Sequence, residues 1–180
     1  MPSIRRHLPA FAVGVAVAWH ALPIPVAAAA TPTAKANHCT VPITSKLRTG
    51  RFTLGKVACY PTYAQALRSI GVRHVSDDAT PASTHLGATA TASFPIGTHY
   101  DGTNRTGSSL TVYGGDCNGG WLNMPAGWDD RVSSTNNDYC PRIRHFHDVN
   151  LGGASTDVLA PWGNVGGGLS NQVSSIQYLT

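Results

Sequence analysis

The chain of 180 residues contains no glutamate, only three lysines and two methionines, and just 12% of it is charged. Long exposed helices draw on Glu and Lys for their outer faces, so this poverty excludes a helical bundle or coiled coil. No apolar run after the N-terminal region is long enough to cross a bilayer. The excess of 13 basic over 9 acidic side chains is concentrated at the start, where residues 1–36 hold Arg5, Arg6 and Lys35 and no acid. The remainder is nearly balanced, which removes the electrostatic footprint expected of a nucleic-acid or anionic-membrane binder. What the chain does have is 19 glycines and 12 prolines, the composition of a turn-rich protein.

Arg5 and Arg6 precede an apolar stretch, Leu8 to Ala30, interrupted by Pro9, Trp19, His20, Pro23 and Pro25 and closing in small residues. A basic start, an apolar middle and a small-residue end describe a signal peptide, and the prolines and histidine argue against a permanent anchor. Residues 1–36 are therefore expected to be a signal peptide, cleaved after Ala28-Ala29-Ala30 or Ala34-Lys35-Ala36, and the chain to be secreted to the extracellular space. The arginine pair is only a partial twin-arginine pattern and does not decide the export route.

All four cysteines, Cys39, Cys59, Cys117 and Cys140, follow that segment. An even number in an exported chain favours disulfides. Of three possible pairings, the spacing favours Cys39 with Cys59 and Cys117 with Cys140. No C-x2-C or H-x3-H cluster supports zinc. Each closed loop of about 20 residues is worth roughly 3 kcal/mol.

Residues 37–75 read as a small α/β segment closed by the first disulfide. Arg51–Tyr60 alternates as a strand, and Thr62–Ile70 is spaced as a helix with a Thr62/Gln65 capping box. Its apolar face is Tyr63, Ala66, Leu67 and Ile70, and Gly71 is the stop. Residues 76–93, rich in Ala, Thr, Ser and Asp, read as a linker. From Phe94 onward the signals are short strands at Ser108–Tyr113, Gly120–Asn123, Val132–Ser134, Arg142–Phe146, Ser155–Leu159 and Val173–Leu179.

Two stretches of this β half repeat. Tyr100 to Gly107 and Phe146 to Gly153 each place an aromatic seven residues before a glycine, with Ser109 and Ser155 two residues further on. Later come Asp129-Asp130-Arg131-Val132-Ser133-Ser134 and Ser170-Asn171-Gln172-Val173-Ser174-Ser175. The glycine permits a tightly folded hairpin, over which the aromatic packs. The polar stretch offers carboxyl, amide, hydroxyl and carbonyl oxygens, the hard donors that calcium takes; a single copy would read as Asx turns and strand-entry hydroxyls.

These motifs resemble those of the βγ-crystallin-like Greek key domains, in particular the exported bacterial ones. The family's markers are the aromatic-x4-aromatic-x-Gly hairpin and the loop (Asn or Asp)-(Asn or Asp)-x-x-(Ser or Thr)-Ser. The resemblance covers about residues 94–180 and implies a mainly β fold: a βγ-crystallin-like β-sandwich of two Greek key motifs, here preceded by the small α/β segment with one helix. It also implies two Ca2+ ions between the motifs. The first loop would offer Asp130, the carbonyl of Arg131 and the hydroxyl of Ser133; the second Asn171, the carbonyl of Gln172 and the hydroxyl of Ser174. Arg105 and Leu151 stand where the hairpins would carry their second aromatic, and Ser170 replaces the first Asn or Asp of the second loop. With so few carboxylates, affinity is expected in the weak extracellular range.

No Gly-x-Ser-x-Gly elbow is present, there is no glutamate, and the Ser and Asp residues are too numerous to nominate a catalytic pair, so no enzyme is expected. His145-x-His147-Asp148 is the one titratable cluster, and alternation would put both histidines on the solvent face with Phe146 in the core. The expected function is extracellular binding by a monomeric, calcium-stabilised domain, without stable membrane insertion. The alternatives are a secreted Greek key proteinase inhibitor, whose partner is an extracellular proteinase, and a module for carbohydrate or another cell-surface polymer using Trp121, Trp128 or Trp162.

Overall fold

In the computed structural model, which describes residues 37–83 and 94–180, the first strand is β1 (His38–Lys46). The expected signal peptide and residues 84–93 of the expected linker lie outside the described residues. Along its length β1 meets two antiparallel partners, β3 (Ala58–Tyr60) at His38–Thr40 and β2 (Phe52–Leu54) at Ile43–Lys46. The single strand expected over Arg51–Tyr60 is thus broken in two. The break comes at Gly55, whose N–H donates to the Pro42 carbonyl at 2.9 Å and where a Cβ would meet Pro42 Cγ at 2.7 Å. Only a glycine passes the proline that closely. Cys39 and Cys59 face each other across β1 and β3 and are bonded, as are Cys117 and Cys140.

Helix α1 (Tyr63–Ser69) begins as its capping box requires, with Thr62 Oγ1 accepting from the Gln65 N–H at 3.2 Å. Tyr63, Leu67 and Ile70 form a small apolar cluster with Val72, Val75 and Tyr113, which anchors the helix.

Two Greek keys follow. The first comprises β4 (Pro95–Tyr100), β5 (Ser109–Tyr113), β6 (Trp121–Asn123) and β7 (Ser134–Asn136). The second comprises β8 (Arg142–Asp148), β9 (Gly152–Leu159), β10 (Trp162–Asn164) and β11 (Ser175–Leu179). Each motif sends its third strand to the other's sheet: the orders are β10-β7-β4-β5-β1-β2, with β3 also on β1, and β6-β11-β8-β9. The result is a two-sheet βγ-crystallin-like sandwich. Residues 37–60 extend the first sheet, because β1 pairs parallel with β5 from His38↔Ser109 to Pro42↔Tyr113. Strands β1, β4 and β10 carry no alternation that the sequence rules detect, since Pro42, Pro95, Gly97 and Gly163 interrupt them. The strand expected at Val132–Ser134 begins instead at Ser134, because Val132 and Ser133 belong to the preceding loop.

Val41, Leu110, Val112, Leu122, Ile143 and Ile176 are fully or almost fully buried between the sheets. Through this apolar core runs a polar chain. His99 bonds Tyr178 Oη at 2.9 Å through Nε2 and Thr135 Oγ1 at 3.0 Å through Nδ1, and Thr135 Oγ1 bonds His145 Nε2 at 2.7 Å. The expectation that His145 faces solvent is therefore wrong. Ile143 and His145, two residues apart on β8, both point inward, while His147 is exposed and Phe146 is also covered. A histidine can take a core position because neutral imidazole finds a hydroxyl there.

Burial holds the pKa of His145 down at about 3 and that of His99, which also faces His145, well below the usual range. These groups stabilise the fold above about pH 6.5, and the contribution is lost as pH falls toward their folded values. Asp138 acts oppositely: burial lifts it to about 7, against the bonds donated by Thr98 and Asn136, so its contribution is lost as pH rises from about 4. Acidification from about pH 6.5 to about pH 4 is therefore expected to lower the urea midpoint, and Asp138→Asn to steepen that fall by removing the opposing term. Parallel pH profiles for the two proteins would contradict these assignments.

Candidate cation-binding loops

Each repeated hairpin folds by the same backbone path. Asn104 and Arg105 take φ of 55° and 60°, and Asn150 and Leu151 take 57° and 62°. Asparagine tolerates this left-handed region, whereas Arg105 and Leu151 occupy it at a cost. The closing glycines, Gly107 and Gly153, also have positive φ, and a Cβ on either would meet a carboxylate oxygen, Asp101 Oδ1 at 2.1 Å or Asp148 Oδ2 at 2.7 Å. Neither Arg105 nor Leu151 supplies the second aromatic of the motif. Arg105 lies instead over the Trp162 ring, 4.5 Å from its centroid.

The loops fasten these hairpins through the second serine of each pattern. Ser134 Oγ accepts from the Arg105 N–H at 2.9 Å and donates to the Gly102 carbonyl at 2.6 Å. Ser175 Oγ does the same with the Leu151 N–H at 3.0 Å and the Asp148 carbonyl at 2.6 Å. Third strands add a crossed lock: Asn164 of the second motif pairs with Asn104 of the first, and Asn123 of the first with Asn150 of the second.

The preceding serine reaches across the motifs. Ser133 Oγ donates to Asn171 Oδ1 at 2.8 Å and accepts from Ser170 Oγ at 2.9 Å, while Ser174 Oγ stands 3.4 Å from Asp130 Oδ1. Main-chain bonds hold the exchange, from the Asp130 N–H to the Val173 carbonyl at 3.2 Å and from the Asn171 N–H to the Val132 carbonyl at 3.0 Å. Asp130 and Asn171 share a left-handed backbone, with φ of 56° and 57°. The structure thus groups the sequence-derived residues as Asp130 with Ser174 and Asn171 with Ser133. Arg131 and Gln172 follow the acid or amide in each loop.

The Arg131 cation is engaged away from these oxygens. Its guanidinium donates to Asp101 Oδ2 and the Gly127 carbonyl, each at 2.7 Å, and stacks 4.8 Å from the Trp128 ring centroid. Sequence reasoning missed that role, and also the part of His147. That ring bonds Asp148 Oδ1 at 2.7 Å and Gln172 Oε1 at 3.1 Å, and these partners, with Asp130 nearby, raise its pKa. Its place directly after Phe146, beside the hairpin that receives the second loop, was the available signal. Among the described residues no three His, Cys, Asp or Glu side chains gather as a metal group, so any ion here would depend on hydroxyl, amide and carbonyl oxygens.

Exchanged third strands, duplicated hairpins and crossed loops give the β half of the chain the fold of two Greek keys in a βγ-crystallin-like sandwich. No family model matches the chain, and neither does any curated protein. Three solved structures are similar to it. A βγ-crystallin domain from Flavobacterium johnsoniae has 28% identity over 46% of this chain and 91% of its own, with a TM-score of 0.36. A clostrillin double mutant in complex with nickel has 14% identity over 47% and 97%, with a TM-score of 0.37. A mutant βγ-crystallin domain from Clostridium beijerinckii has 17% identity over 46% and 94%, with a TM-score of 0.35.

Because Ser134 and Ser175 each satisfy two main-chain groups, Ser134→Ala and Ser175→Ala are expected to cost about 1–2 kcal/mol each in urea unfolding under chelator. Ser174→Ala, with only its long contact to Asp130, should cost under about 0.5 kcal/mol. Equal costs for all three would overturn this division of labour.

Proposed function

We propose that the chain is a secreted, non-enzymatic, monomeric binding domain stabilised by two disulfides and by weakly held calcium. The observation that supports it is the crossed placement of the loop oxygens. In one group Asp130, the Arg131 carbonyl and Ser174 would hold an ion. In the other, Asn171, the Gln172 carbonyl and Ser133 would do so. All are hard oxygen donors of the kind calcium prefers. The Asp130 group fits better, since it alone contains a carboxylate and its Ser174 hydroxyl has no close bond to give up. In the second group Ser133 already bonds Asn171, so an ion would have to replace that contact. A calcium ion there would supply no chemistry beyond neutralising and cross-linking the loops, and thereby the motifs.

Thermal unfolding in chelator and then in rising calcium tests this. An ion that binds only the folded state adds about 1.4 kcal/mol at ten times its dissociation constant, a midpoint rise of a few degrees for a domain of this size. The rise should saturate at millimolar calcium and disappear in Asp130→Ala combined with Ser174→Ala. No rise, or one that this variant retains, would remove the assignment.

A further inference from the structure

Strands β2 and β6 end the two sheets on the same side of the sandwich, and they touch at a single point. There Arg51 and Trp121 form a parallel bridge, in which the Trp121 N–H donates to the Gly50 carbonyl at 3.1 Å. The indole N–H of Trp121 adds a bond to the Thr49 carbonyl at 3.2 Å. Among the described residues no second pair joins the two strands. Beyond the bridge lies an open cleft of about 480 Å3, with residues 51–54 and the exposed Leu47 on one side and residues 123–125 on the other.

The main-chain bonds fix which way each wall points. The Leu47 N–H donates to the Arg51 carbonyl at 2.8 Å and the Gly55 N–H to the Pro42 carbonyl at 2.9 Å. By the alternation of an antiparallel ladder, Lys46↔Phe52 and Ile43↔Leu54 are then its non-hydrogen-bonded pairs, so Phe52 and Leu54 turn their N–H and carbonyl groups away from β1. On β6 the Met124 N–H donates to the Ser174 carbonyl at 2.9 Å, while Trp121 bonds away from β11. Asn123, two residues after Trp121, therefore turns its main-chain groups away from β11 as well. Two strand edges thus present backbone donors and acceptors to one gap. An unpaired edge is a template for a further strand, and a single strand placed here would serve both edges.

Side chains narrow the choice of strand. Phe52, Leu54 and Met124 pack on the core, whereas Thr53 and Arg51 are exposed. The Arg51 guanidinium lies over the Trp121 ring, 5.7 Å from its centroid, and is the one charge among the residues lining the cleft. Residues 37–75 carry Lys46, Arg48, Arg51, Lys56, Arg68 and Arg73 and no acid. Lys46 and Arg68 meet Asp116 and Asp77, which leaves the cations at the turn and end of β2 to complement a negative partner. With three residues in each of β2 and β6, the contact spans roughly 10 Å.

We propose that this cleft binds an extended acidic peptide of another protein as an added strand, its apolar side chains facing Leu54 and Met124 and its carboxylates facing Arg51. The assignment names a partner class for the extracellular-binding reading and rests on that reading only for the setting; it uses none of the calcium-loop oxygens.

A random heptapeptide phage library is selected on the immobilised full chain, disulfides intact, in chelator and again in calcium. Sequences that alternate apolar and acidic residues are expected to be enriched, and the strongest, made synthetically, to bind saturably. Arg51→Glu should weaken that peptide at least about tenfold and strengthen its lysine-for-acid counterpart, a gain that misfolding could not produce. N-methylation of a central peptide amide should cost at least about tenfold, and binding should slow hydrogen exchange at the Leu54 and Asn123 amides. No enriched sequence would overturn the proposal, as would binding that ignores Arg51→Glu or leaves those two amides unprotected. A chain that self-associates and protects the same amides without peptide would give the cleft to a second copy and overturn the acidic partner. A calcium-dependent midpoint rise without peptide binding would sink this proposal alone. Peptide binding that follows the substitutions, without any calcium effect, would support it and sink only the calcium reading.

Discussion

The structure depends on the exchange of third strands. Strand β6 completes the sheet of the second motif and β10 that of the first, so neither motif can satisfy its edge alone. Every other crossed contact follows from that exchange. Once β10 lies beside β7, Asn164 is in place to hold the turn at Asn104, and β6 does the same for Asn150 through Asn123. The loops that lead out of the exchanged strands must then cross, which brings Ser133 to Asn171 and Ser174 to Asp130. Left-handed backbone at Arg105, Leu151 and Asp130 persists because neighbours on both motifs over-determine it.

The second constraint is polarity inside the fold. A chain of His99, Thr135, His145 and Tyr178 crosses the core, and a second polar group centred on Asp138 occupies the other side of the same sheet. An apolar interior would be simpler to stabilise. Satisfied hydroxyl and imidazole pairs add direction, since a slipped strand would leave them unpaired in a low-dielectric setting. Neither group is matched throughout: His145 Nδ1 in the core chain and Asn136 Oδ1 in the outer group have no hydrogen-bond partner.

Much of this was legible in residue order. The cysteine pairing, the cap and face of α1, the β character of the second half and the repeat were visible because each leaves a local or periodic trace, whereas the two-sheet Greek key class entered through the family resemblance. The grouping of the loop oxygens came only with the family resemblance, since the partners lie about 40 residues apart and no short pattern joins them. Histidine 145 was misplaced because a polar side chain was assigned outward, while its contact with Thr135 needs both sheets to be in position. Strand β1 and the division at Gly55 escaped because Pro42 and Gly55 interrupt the alternation. The outer polar group escaped for a related reason: Thr98, Asn136 and Trp162 become neighbours only through strand register.

Strand β1 has a further consequence. It is the first described strand in the chain, yet its partner β5 lies about 70 residues later, as the 71-residue separation of His38 and Ser109 shows. A parallel pair cannot be joined by a local turn. Residues emerging in order, from a ribosome or through an export channel, would place β1 in the open well before its partner exists. Its nearer neighbours β2 and β3, together with the Cys39–Cys59 bond, can form at once and keep it occupied on one side. The β1–β5 pair therefore gives the sheet a higher contact order than a bare pair of Greek keys, a topology that slows folding in general.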